Sequence, residues 1–152
     1  MTIHVALWEP EIPPNTGNIA RLCAATGAKL HIVGQPAFRL DDKQLKRAGL
    51  DYWEAVDWQM HASFSDLEAL ISPEKIILIE TTEKPFYTQA PFVDGCCLVF
   101  GNESRGLPQS IRDRYADRLF GVPMPTGKVR SLNLATCAGI VLYEALRQLN
   151  NW

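Results

Sequence analysis

The chain has 152 residues, 47% of them hydrophobic and 21% charged, with a formal net charge of −2. That length suits a single domain with one sizeable core, residues 1–152 forming one unit, and the composition excludes a disordered chain. No apolar run approaches the ~18 residues that cross a bilayer, and the negative balance argues against a protein that grips nucleic acid over its whole surface.

Taken in order, Ile3 to Trp8 reads as a first strand, ended by Glu9-Pro10. The opening MTIHVALWEPEIPP has no basic leader region and no small-residue cleavage pattern, so a cytoplasmic protein is expected. The stretch EIPPNTGNIARLCAATGAKL predicts a helix capped by Asn15 or Thr16, with Ile19, Leu22 and Cys23 on one face and Gly27 as its stop. Leu30 to Val33 gives a second strand and completes a βαβ opening. Asp41 to Ala48 predicts a short charged helix carrying Lys43, Lys46 and Arg47, stopped by Gly49. Ser65 and Glu68 predict a capping box for a helix through Leu70.

Three further apolar runs follow: Ile76 to Ile79, Cys97 to Phe100 and Leu119 to Val122. Short apolar runs between turn residues suit strands buried on both faces, hence an α/β fold with a mostly parallel sheet flanked by helices. Each run leads into a polar loop: Glu80-Thr81-Thr82 through Pro85, then Gly101-Asn102-Glu103-Ser104-Arg105-Gly106, then Pro123 to Arg130. Ligands of open parallel sheets bind beyond the carboxyl ends of the strands, so these loops are expected to converge on one pocket.

The third loop opens the stretch on which the chain is organised, GVPMPTGKVRSLNLATCAG from Gly121 to Gly139. Pro123 and Pro125 forbid a continuing ladder, and Gly127 and Lys128 make a turn. Ser131 is placed to cap a final helix whose first half (Leu132, Leu134, Ala135, Cys137, Ala138, Ile140, Val141, Leu142) is apolar on nearly every face and is expected to be buried. Lys128, Arg130, Ser131 and Asn133 thus arrive at the positive end of a helix.

Cys23, Cys96, Cys97 and Cys137 lack metal-ligand spacing, and His4, His31 and His61 are scattered, so reduced packing cysteines and no metal are expected. The dinucleotide fingerprint G-x-G-x-x-G is absent. Gly101 and Gly106 have phosphate-loop spacing but lead into Leu107-Pro108, and no G-x-S-x-G elbow occurs.

Three segments together carry a resemblance: NTGNIARLC (Asn15 to Cys23), VFGNESRGLP (Val99 to Pro108) and VPMPTGKVRSLNLAT (Val122 to Thr136). They resemble the three motifs of the SPOUT methyltransferases, in particular the small bacterial tRNA 2′-O-methyltransferases that modify the wobble cytidine or uridine. The EPEIPPNTGN opening and the DDKQLKRAGLDYW segment extend the likeness to essentially the whole chain. Ala135 departs from it, standing where many members place a serine.

The resemblance implies a C-terminal trefoil knot, S-adenosylmethionine as methyl donor with S-adenosylhomocysteine as product, a tRNA substrate and a homodimer, with no metal and no membrane. Carried over by position, Glu80, Thr81, Gly101, Val122, Ser131 and Leu132 would hold the cofactor. Arg21, Glu103, Ser131 and Asn133 would serve catalysis, with Arg21 as activator of the ribose hydroxyl. Lys43, Arg47, Arg105, Lys128 and Arg130 would meet RNA. Three other readings stay open: a non-catalytic RNA-binding module on the same fold, an enzyme using another adenine nucleotide, and 2′-O-methylation of a different RNA.

Overall fold

The computed structural model describes residues 1–39, 43, 53–80 and 84–152. Six strands form one parallel sheet: β1 (His4–Trp8), β2 (Lys29–Val33), β3 (Trp58–His61), β4 (Ile76–Glu80), β5 (Cys97–Phe100) and β6 (Leu119–Gly121). Their spatial order is β3-β2-β1-β5-β4-β6. Among the described residues four α-helices accompany them: α1 (Pro13–Thr26), α2 (Phe64–Leu70), α3 (Gln109–Arg114) and α4 (Leu134–Asn150).

The runs Ile76 to Ile79 and Cys97 to Phe100 become the inner strands β4 and β5, buried on both faces, which is why they lack alternation, while Leu119 to Val122 yields the edge strand β6. Strand alternation sends Val5, Leu7, Ile77, Ile79, Leu98 and Phe100 toward α1 and α4, while Ala6, Leu78 and Val99 face α2 and α3. Cys96 and Cys97 fall into opposite layers, and all four cysteines are free and buried, as anticipated. Among the described residues no helix is long and apolar enough to cross a membrane.

Several local expectations are corrected. Helix α1 begins at Pro13 rather than after Asn15 or Thr16: Ile12 occupies the cap position without a side-chain bond, and proline at the first turn forfeits no hydrogen bond there. Its stop at Gly27 holds, with φ 76° and the N–H donating to the Cys23 carbonyl. The capping box of α2 is Ser63 with Asp66, two residues before the expected Ser65 and Glu68. Strand β3 and helix α3 were not anticipated. β3 is an edge strand of sequence WQMH, with Gln59 and Met60 exposed, so it lacks the apolar run that marks inner strands. The expected helix over Asp41 to Ala48 lies outside the described residues apart from Lys43, which is exposed.

Helix α4 starts at Leu134, capped by Asn133, whose side-chain oxygen accepts from the Thr136 N–H; Ser131 is therefore not the cap. Nor is α4 buried all round. In its first half Cys137, Ala138, Val141 and Leu142 are buried, but Leu134, Ala135 and Ile140 are only partly so and Thr136 is exposed.

The three histidines are scattered only in sequence. His4 and His31 approach at 2.8 Å between ring nitrogens, and so do His31 and His61. Parallel register places them diagonally across β1, β2 and β3 on one face. Burial, helped by the flanking rings of His4 and His61 and by Lys29, pushes the His31 pKa down to about 4, with Asp57 opposing. Because this value lies below that of the unfolded chain, folding disfavours the proton. The stabilisation is complete above about pH 6.5 and is lost as pH falls toward 4. We expect urea unfolding to show about 1–3 kcal/mol less stability at pH 4.5 than at pH 7.5, and His31→Gln to flatten this slope. An unchanged slope in the variant would remove His31 as the cause.

Candidate active site

At the carboxyl edge of the sheet lies a cleft of about 620 Å³. Ile79 and Glu80 supply one wall, residues 100–106 a second, and residues 130–134 with Cys137 a third; Ile12 and Asn15 close the front. The three strand-exit loops therefore meet, as the parallel arrangement led us to expect. Residues 81–83, Thr81 among them, lie outside the described residues.

The loop after β5 is built to stay close to the backbone. Asn102 and Gly106 exchange both main-chain hydrogen bonds, at 3.2 and 2.9 Å. The buried Asn102 side chain accepts from the N–H groups of Ser104 and Arg105 and donates to the Glu9 carbonyl at 2.6 Å. Glu9 itself adopts φ 42°, an uncommon left-handed conformation for a non-glycine residue, and this bond helps hold it there. A Cβ on Gly101 would stand 2.5–2.7 Å from the main chain of Gly106 and Leu107, so only glycine fits this approach.

A second network joins all three motif segments. The Glu103 carboxylate accepts from the N–H groups of Glu11 (3.1 Å) and Ile12 (2.8 Å), so a distant loop supplies the acceptor for the two residues that lead into α1. Asn15 donates to the same carboxylate at 3.4 Å and accepts from Asn133 at 3.0 Å, while Asn133 caps α4. Each amide orientation is set by its neighbour, and the chain of bonds ends on an acceptor-only carboxylate.

Of the expected site residues, Glu80, Gly101, Glu103, Arg105, Arg130, Ser131, Leu132 and Asn133 line the cleft together. Lys128 is exposed on the adjoining turn. Val122 is not in the lining: it is buried and gives its N–H to the Glu80 carbonyl. Arg21 is exposed on α1 with Asn18, six residues beyond Asn15 and outside the lining. The Glu103 carboxylate is bonded to the main chain leading into α1. Arg47 lies outside the described residues, and Lys43 is exposed.

Sequence reasoning missed Asn15, considered only as a cap, and Asn102, read only as part of the loop from Gly101 to Gly106. A polar residue beside a buried strand end followed by a serine two positions on is the signal of a side-chain-closed turn, and it could have identified Asn102. Among the described residues no group of three histidine, cysteine or acidic side chains is placed to hold a metal ion.

We expect Glu103→Ala to destabilise the fold by about 1–2 kcal/mol in denaturant unfolding, since two helix-start N–H groups and the Asn15 amide lose their acceptor. A change below a few tenths would mean that solvent replaces the carboxylate without loss.

The model of the SpoU rRNA methylase family matches residues 2–143. A tRNA (cytidine(34)-2′-O)-methyltransferase of Methylovorus glucosotrophus is 45% identical over 95% of this chain and 94% of its own length. The Escherichia coli K12 protein of the same name is 43% identical, over 97% and 94%. A solved structure described as giving insights into 2-OH methylation of C/U34 on tRNA superposes with a TM-score of 0.89 at 42% identity, covering 99% of this chain and 98% of that one. The SpoU methyltransferase AviRb of Streptomyces viridochromogenes, solved in complex with AdoMet, is 26% identical with a TM-score of 0.82, over 95% of this chain and 59% of its own. With a family match running nearly end to end and the motif segments drawn around one cleft, the chain belongs to the SpoU rRNA methylase family.

Proposed function

We propose that this chain transfers a methyl group from S-adenosylmethionine to the ribose 2′-hydroxyl of the wobble cytidine or uridine of tRNA, and that it acts as a homodimer. The observation that carries the reading is the single cleft in which strand-exit loops present main chain and small residues, in a chain whose full-length relatives bear that activity in their names. The lining suits the cofactor: Ile79, Phe100, Leu132 and Leu134 are apolar, Gly101 admits only close main-chain contact, and Glu80 brings a carboxylate. Bound there, the cofactor would supply a methyl group on a positively charged sulfur. Gly101, Ser131, Leu132 and Glu80 would hold it, with Thr81 beside them; Val122 has only its carbonyl to offer, its N–H being engaged.

The protein must then align the ribose and ease loss of its proton. The role of the Arg21 guanidinium is to stabilise a developing alkoxide and to position phosphate rather than to act as a base. Asn133 and Ser131 face the cleft and would orient the ribose, while Glu103 serves catalysis by fixing the front wall. Arg105 and Arg130 line the cleft with Lys128 on the adjoining turn, and these would meet RNA phosphates; Lys43 and Arg47 are assigned to RNA on the family resemblance alone.

Two observations favour the homodimer. Tyr143, Val129 and Ile12 are exposed apolar residues on or near the α1 and α4 side. Arg21 also stands outside the lining of its own cleft, where a second copy could present it. The implied knot belongs to the same proposal: β6 lies outside β4, yet α4 returns to pack on β5 and α1, so residues 122–133 run back past the exit of β4.

Incubation with labelled S-adenosylmethionine and total tRNA, followed by mass mapping, should place the methyl group on the wobble ribose. Label at another position would favour a different RNA site, and RNA binding without methylation would favour a non-catalytic module. Arg21→Ala should retain cofactor binding while turnover falls at least ~100-fold. If Arg21 acts across the dimer, mixing Arg21→Ala with a folded Gly101→Ala chain should restore roughly a quarter of wild-type activity, the statistical share of complete sites. No recovery would confine Arg21 to its own protomer.

A further inference from the structure

The row of histidines is joined through particular ring nitrogens. His4 Nδ1 meets His31 Nε2, and His31 Nδ1 meets His61 Nε2, each at 2.8 Å. Both contacts have one geometry, with ring centroids 5.0 Å apart and planes inclined by 33°. His31, 2% exposed, uses both of its nitrogens inside the row, and the outer nitrogens are His4 Nε2 and His61 Nδ1. The row begins on the first residue of β1, crosses the middle of β2 and ends on the last residue of β3. Its ends therefore lie toward the amino and carboxyl edges of the parallel sheet, and none of the three rings lines the cleft.

Counting protons over these contacts fixes the states open to the row. A contact this short between two ring nitrogens holds one hydrogen, neither two nor none, and a neutral imidazole carries a single N–H. If His31 bears its proton on Nδ1, it donates to His61 and accepts from His4, so all three rings bear theirs on Nδ1. If His31 bears it on Nε2, both neighbours follow in the other sense. The three neutral rings thus share one tautomer. One added proton fits without loss of either contact, because each outer nitrogen then carries a hydrogen. A second added proton would set two hydrogens face to face and break the row.

We propose that His4, His31 and His61 form a proton relay that titrates as one unit, holding at most one extra proton and passing it along the row by a shared change of tautomer. A proton that bonds to His4 Nε2 sends the Nδ1 proton of His4 to His31 Nε2. His31 passes its own Nδ1 proton to His61 Nε2, and His61 releases one from Nδ1. One proton enters and one leaves, no ring turns, and the row is left in the opposite tautomer. The charges around it bias where an extra proton rests. Among the described residues, Lys29 and Lys75 oppose a positive charge at His4, where Asp57 favours it. At His31 Lys29 again opposes and Asp57 favours, while Asp66 on α2 favours charge at His61. Burial opposes it on every ring. The extra proton is therefore drawn toward the His61 end.

The test is long-range proton–nitrogen NMR of the full-length protein with nitrogen-labelled histidine, followed from about pH 7.5 to about 4.5 while the fold persists. At the upper pH the three rings should report one and the same tautomer. On acidification a shift in any one ring should be mirrored in the other two at the same pH, and uptake by the folded row should not exceed one proton. His61→Phe, a change on the edge strand, removes the end ring and should alter the nitrogen shifts of His4, with which residue 61 makes no ring contact. Mixed tautomers in the wild type, rings that titrate at separate pH values, or a His4 unmoved in His61→Phe would overturn the relay. Should that variant fail to fold, the wild-type tautomers and titration decide the matter by themselves.

Discussion

The Glu103 carboxylate is the constraint on which the architecture of the site depends. Helix α1 opens with two prolines and no capping side chain, and the N–H groups of Glu11 and Ile12 that lead into it take their acceptor from a distant loop. Glu103 provides it from the loop after β5, 91 residues away from Ile12. Through Asn15 and Asn133 the same chain of bonds reaches the first turn of α4. One carboxylate thereby registers the front of the cleft against two of its walls.

The parallel sheet explains why the site lies where it does. All six strands end on the same edge, and the strand-exit loops of β4, β5 and β6 emerge side by side because β5, β4 and β6 are neighbours. Covering both faces with helices leaves that edge as the place where main-chain donors and acceptors remain for a ligand. Close packing then limits the residues allowed. Gly101 is compelled by the main chain of Gly106 and Leu107, and the left-handed Glu9 is retained because Asn102, Gln35 and Arg105 all engage it.

Electrostatically the chain is mildly acidic overall, yet it gathers Arg105, Lys128 and Arg130 at one mouth while Glu80 and Glu103 lie within it. Such segregation lets a protein of low net charge meet a polyanion locally, and it separates the side that would face phosphates from the side that would face a cationic donor.

The sequence by itself determined the βαβ opening, the buried parallel strands, the Gly27 stop and the convergence of strand-exit loops, because periodicity, glycine and apolar run length act over a few residues. It also carried the three motif segments that mark the family. What it could not yield were features made by residues far apart along the chain. The true caps of α1 and α4, the histidine row and the pin at Asn102 all join segments separated by about thirty residues or more, or depend on which of several nearby polar residues finds a partner. Ser131, Ser65 and Thr16 were chemically suitable caps, and tertiary packing passed over them for Asn133, Ser63 and a carboxylate from another loop. Local preference differs between such residues by a fraction of a kcal/mol, whereas satisfying a buried donor is worth about one or more. The assembled structure therefore had the final say.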